Sequence, residues 1–197
     1  MPPIADLAIA AALAWGSGIR LYATLFLVGI AGHYGWIELP QHLTMLQSPL
    51  VLAASGFMSF IEFFADKFTW VDSVWDAVHT FIRIPAGAAL AAAVFGDAGA
   101  GTTLAAAILG GTVAGGTHLS KAGARAMINT SPEPFSNWAA SITEDAALPA
   151  GLWLASAHPL MFLLFLVTLA VIAIVLIRWI VKGLLALLGK LRTPRPA

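Results

Sequence analysis

The strongest constraint on this chain is one stretch, Leu160–Ile177, in which no residue is charged and Thr168 carries the only hydroxyl. A helix of that length reaches most of the way across the roughly 30 Å hydrocarbon layer of a bilayer. Asp, Glu, Lys and Arg are also missing from Leu21–Ile37, Pro40–Ile61, Ala98–Ser120 and Ala146–Ile177. Charged residues make up 10% of the chain and hydrophobic ones 59%, whereas about a quarter of a soluble domain is charged. Such a chain cannot cover its surface with polar groups. The pattern predicts an all-α fold, a polytopic transmembrane helical bundle.

A crossing needs roughly 20 mostly apolar residues. Leu7–Trp36, Pro49–Phe64, Thr102–Leu119 and Pro159–Val181 meet or approach that length, the first with an interruption. Ile84–Phe95 and Trp138–Ala157 are shorter or carry charge, so the count ranges from four to six, some segments being short, broken or re-entrant. Lys and Arg favour the cytoplasmic side, which puts Arg178, Lys182, Lys190, Arg192 and Arg195 there. Six crossings with both termini cytoplasmic then place Lys67, Arg83, Lys121 and Arg125 consistently. Five also suffice if Lys121 and Arg125 are buried. The expectation is a single transmembrane domain, 1–197, with a core of 7–181 and a basic cytoplasmic tail, 182–197, whose leucines suit the membrane surface.

The ten basic and ten acidic residues balance, so there is no basic face for nucleic acid. Without cysteine there is no disulfide or thiolate chemistry. The start of the chain lacks the basic region of a cleavable signal. No zinc-binding His-Glu-x-x-His, nucleophile elbow or phosphate loop occurs, so neither enzyme activity nor a cofactor or metal is expected.

Two helix signals are unusual. Trp15-Gly-Ser-Gly-Ile-Arg20 sets glycines and a charge between apolar stretches. This fits either two half-helices meeting at a break or a helix that begins near Gly18. Breaks inside a membrane are tolerated only against protein or a polar cavity. Gly96-Asp-Ala-Gly-Ala-Gly101 reads as a tight turn, and Gly111-Thr-Val-Ala-Gly115 matches the small-residue spacing of close helix packing.

The remaining charge is concentrated in two stretches. In the first, Glu62 and Asp66 share a helical face beside Lys67, and Asp72, Asp76, His79 and Arg83 step by four, three and four along one stripe. That stripe suits an interfacial helix or one folded into the bundle. In the second, His118, Lys121 and Arg125 share a face and lead to Asn129, Glu133 and Asn137, with Glu144 and Asp145 beyond. The first is mainly acidic and the second mainly basic, so they should meet in a low-dielectric bundle. With Arg20 they could line a polar cavity for an ion, a small solute or a lipid headgroup, or form a structural salt-bridge network. Each half has an apolar helix, a charged helix end and a short amphipathic segment, which suggests an internal repeat.

Ser17–Gly29, Glu62–Lys67, Val71–Gly87 and Asn129–Asn137 together resemble the bacterial membrane-protein family catalogued as domain of unknown function 4126. The resemblance covers roughly residues 7–180, and its most specific part is the acidic helix end followed by the Asp/Trp/His/Arg stripe. Some relatives have Asn in place of Arg20, so it does not imply a fixed charge there. It implies a multi-pass protein of a cell membrane, the bacterial inner membrane, and brings no activity with it. Two functions compete: a small transporter or permease for an ion or a phosphate-bearing solute or lipid, and a non-transporting scaffold or accessory subunit. Membrane lipids, a second copy or a membrane protein are the expected partners.

Overall fold

A computed structural model describes residues 3–130 and 135–192. The six apolar segments become six helices: α1 (Pro3–His33), α2 (Pro49–Ala65), α3 (Thr69–Val94), α4 (Ala100–Ile128), α5 (Phe135–Ala157) and α6 (Pro159–Arg192), with a 3-10 helix at Gln41–Gln47. The chain divides into two compact units between Phe162 and Leu163. The first holds α1 to α5 and the opening turn of α6; the second contains the rest of α6, one continuous helix that is apolar as far as Ile177 and basic beyond it.

Among the described residues, three stretches are long and apolar enough to cross a membrane: Ile4–His33, Trp70–Val94 and Pro159–Trp179. The 3-10 helix and α2, bent by 68°, together make a fourth. Four is the lower end of the expected range of four to six, below the six that best placed the basic residues. In α4 the glycines, threonines and His118 dilute the apolar content, and α5 carries Glu144 and Asp145. The short segment Ile84–Phe95 proves to be the second half of α3, which continues back through the polar stripe to Thr69. The side chains of that stripe, Asp72, Asp76, His79 and Arg83, are buried, so it is folded into the bundle.

Burial is inverted relative to a soluble protein. Among the largest fully buried side chains are Arg20, Arg83, Glu62, Asp66, Asp72 and His118, while Trp70, Phe81 and Leu50 are at least 80% exposed. An apolar exterior around a charged interior suits hydrocarbon as the surrounding solvent.

The interruption in α1 is a true break. Arg20 leaves helical geometry for an extended conformation (φ −146°, ψ 94°). The two arms fold toward each other: a Cβ on Gly16 would stand 2.7 Å from Thr24 Oγ1. Ala5 and Ala31 line one cleft, although a straight helix would hold them about 39 Å apart. Gly18 lets the vertex press on α4, where a Cβ would meet the Ala114 carbonyl and Thr117. Leu13 and Leu21 flank the break in a core shared with Val28, Leu43, Leu46 and Leu90.

Glycines also set the α3–α4 contact, but one residue earlier than the 111/115 spacing suggests. A Cβ on Gly110 would strike Ala91, whereas Gly111 and Gly115 have ordinary clearance and Gly116 faces open space. Gly110→Val should therefore cost about 1–3 kcal/mol by overpacking, and Gly116→Val, with the same change in helix propensity, should cost much less. Thermal unfolding in detergent measures the difference; equal losses would mean that helix propensity, and not contact, decides.

Candidate functional site

The vertex of α1 carries Arg20 into a group of carboxylates. Its guanidinium lies 2.9 Å from Asp66 Oδ2 at the end of α2 and 3.1 Å from Asp145 Oδ1 on α5, and donates to Ser141 Oγ at 3.0 Å. Lys121 approaches from α4. Its ammonium sits 3.1 Å from the same Asp66 oxygen and 3.2 Å from Glu144 Oε2. It also donates to the Ile19 carbonyl at 3.1 Å, one of the backbone groups next to the break. A cation at that point complements the C-terminal end of the first arm.

Arg125, one turn further along α4, grips Glu144 with two nitrogens at 3.1 and 3.2 Å, the planar fork that guanidinium and carboxylate favour. Its third nitrogen donates to the backbone and side-chain oxygens of Asn137, and the Asn137 amide reaches back to the Asp66 carbonyl at 3.3 Å.

A second layer centres on Arg83 in α3. It contacts Glu62 Oε1 and Asp76 Oδ1, both at 2.8 Å, and donates to His118 Nδ1 at 3.0 Å. Thr80 gives its proton to the Asp76 carbonyl at 2.9 Å, so it accepts from His118 Nε2 at 2.7 Å. Guanidinium can only donate, which makes His118 in this arrangement the neutral tautomer with its proton on Nε2. Similarly, His79 donates from Nδ1 to the Trp75 carbonyl and accepts from Tyr22 at Nε2. Lys121 links the layers, lying 3.9 Å from Asp76.

Most of the residues expected at the site thus converge: Arg20, Glu62, Asp66, Asp76, Arg83, His118, Lys121, Arg125 and Asn137. Four others lie at its edge, one of them His79, which is held by Tyr22 and the Trp75 carbonyl. Lys67 is at the rim, with its ammonium 3.1 Å from the Phe63 ring centre and 3.8 Å from Asp145. Asn129 is half-buried and donates to Ser73 at 3.4 Å. Asp72 is buried, yet neither carboxylate oxygen has a hydrogen-bond partner among the described residues. Glu133 lies outside the described residues. Glu144 and Asp145 from the end of the second charged stretch, and Ser141, Thr80 and Tyr22, which carry no charge to mark them, also belong to the site. The first three were accessible from spacing, because they follow Asn137 at helical intervals along α5.

The two layers predict unequal sensitivity. Arg83→Leu strands buried Glu62 and Asp76 and should cost about 3–5 kcal/mol. Lys67→Leu removes a partly exposed cation and should cost about 1 kcal/mol or less. Unfolding in mixed micelles measures both; similar losses would contradict the layered burial.

No curated protein and no solved structure matches the chain. A family model does match, over residues 7–179, and its description is a domain of unknown function, DUF4126. That span includes both arms of α1 and every described member of the charged network, so the chain, with its membrane-length apolar helices, belongs to the DUF4126 family.

Proposed function

We propose that this protein is a small transporter for an ion or a phosphate-bearing solute or lipid, and that the charged network is the closed form of its pathway. One observation carries the reading: a broken apolar helix presents a charged vertex and a backbone carbonyl to ionisable groups from three other helices. Transporters use half-helix ends in this way, and ionisable groups deep in an apolar bundle are expensive unless they have a use. The pairing has interchangeable partners. Asp66 Oδ2 is shared by Arg20 and Lys121, and Glu144 Oε2 by Lys121 and Arg125. Such sharing lets one cation let go while its carboxylate stays paired, which suits a pathway that opens and closes.

Charge balance bears on the cargo. Six carboxylates (Glu62, Asp66, Asp72, Asp76, Glu144, Asp145) share the region with five permanent cations (Arg20, Lys67, Arg83, Lys121, Arg125). A positively charged co-substrate, a proton included, would offset the excess, and Asp72, whose oxygens have no hydrogen-bond partner among the described residues, suits that role. The reading assigns binding and movement to the site and no bond chemistry. The basic C-terminal residues favour a cytoplasmic C-terminus in a bacterial inner membrane.

One observation favours the scaffold instead: most charges in the network are already paired at contact distance, and a sizeable cleft opens elsewhere, among apolar side chains. Proteoliposomes distinguish the two readings. Electrical recording on a supported membrane, with a pH step and then inorganic phosphate as probes, should show charge movement for the wild type. It should disappear in Glu62→Gln and Arg125→Met variants that still insert, and persist in Lys67→Leu. Silence under both probes, with a stoichiometric membrane partner co-purifying, would replace the transporter with the scaffold.

A further inference from the structure

The charged network leaves one concave feature unexplained. Between the arms of α1, the segment after it and the last turns of α5 lies a cleft of about 640 Å³, a size typical of small-molecule sites. It exists because its walls are small: Ala5, Ala12, Ala31 and Ala157 line it where larger side chains would close it, and Leu13 and Val28 add hydrocarbon. An ordered water needs two to four polar partners, and most of this lining is hydrocarbon, with Glu38 and Ser156 its polar side chains besides the two indoles. In a membrane, hydrocarbon is the natural filling.

The rim gives the cleft a direction. Trp36 and Trp153 belong to the lining and are 72% and 61% exposed. Tyr34 stacks on Trp36 at 5.6 Å, and His158 meets Trp153 edge-on at 5.8 Å. Exposed indoles and phenols collect at the headgroup level of a bilayer, so the rim marks that level, and Ala12, Leu13 and Val28 line the cleft nearer the break in α1 than Ala5 and Ala31 do. Glu38 is the one charged side chain in the lining among the described residues, and it too is exposed. A carboxylate there repels a net anionic headgroup and matches an ammonium. We propose that this cleft binds an amine-headed phospholipid, with one acyl chain along the alanine walls and the ammonium at Glu38. The proposal is independent of transport: a scaffold would hold the same lipid.

The test uses the full-length protein in nanodiscs containing phosphatidylethanolamine with a diazirine on one acyl chain, irradiated and then mapped by mass spectrometry. Adducts should fall on residues 5–13 and 149–157 in several-fold excess over the exposed α2 face at Phe57 and Phe60. Ala31→Phe and Ala157→Phe, two independent fillings of the cleft, should each remove the excess while the protein stays helical and monodisperse. Phosphatidylglycerol with the same diazirine chain should label the cleft less, and Glu38→Gln should erase that preference. Uniform labelling of the cleft and the α2 face would overturn the proposal, as would an excess that survives both fillings. Cross-links joining cleft residues of two copies would give the cleft to a second protomer, and equal labelling by both lipids would remove the headgroup assignment.

Discussion

A guanidinium inside an apolar bundle must have partners, and Arg20 obtains them only because α1 breaks. In an unbroken helix the residue would sit mid-span, where an unpaired charge is costly. Extension at Arg20 turns one long helix into two arms whose meeting point reaches Asp66 and Asp145 and leaves the Ile19 carbonyl for Lys121. The positions of α2, α4 and α5 around that vertex are tied to the same requirement. Each supplies a charge that would itself be stranded without the others.

The break also determines the apolar side of the unit. Because the arms close on each other at Gly16 and Thr24, their alanines and leucines enclose a cleft on the side away from the charges. One helix therefore contributes to a polar network at its vertex and to a hydrocarbon-lined cleft between its arms. Small residues make both arrangements possible, through close approach at the vertex and open space between the arms.

Much of this was legible in the sequence because burial follows helical spacing. The four, three, four stepping of Asp72, Asp76, His79 and Arg83 described a real buried stripe, and His118, Lys121 and Arg125 faced it as their opposite charge suggested. Gly16, Gly18 and Arg20 announced a break. The angle of the break did not show, because it depends on the tertiary contact between Gly16 and Thr24. Apolar content alone also misplaced the start of α3: a helix whose polar face points inward keeps its charges within the span, and a search for uncharged runs divides it. Glu144 and Asp145 stood at the end of the second charged stretch, but because they interrupt an otherwise apolar segment their shared face with Asn137 and Ser141 did not stand out. The small-residue pattern was displaced by one position because the contact with Ala91 selects Gly110.

The folded-back α1 is the claim on which the rest depends, and the absence of native cysteine makes it directly measurable. Spin labels on cysteines introduced at Leu7 and His33, both exposed, report the separation of the arm ends by pulsed electron resonance. The account predicts a distance far below the about 39 Å of a straight helix. A distribution centred near that value would mean α1 crosses as a rod, and the charged vertex and the cleft between its arms would both be lost.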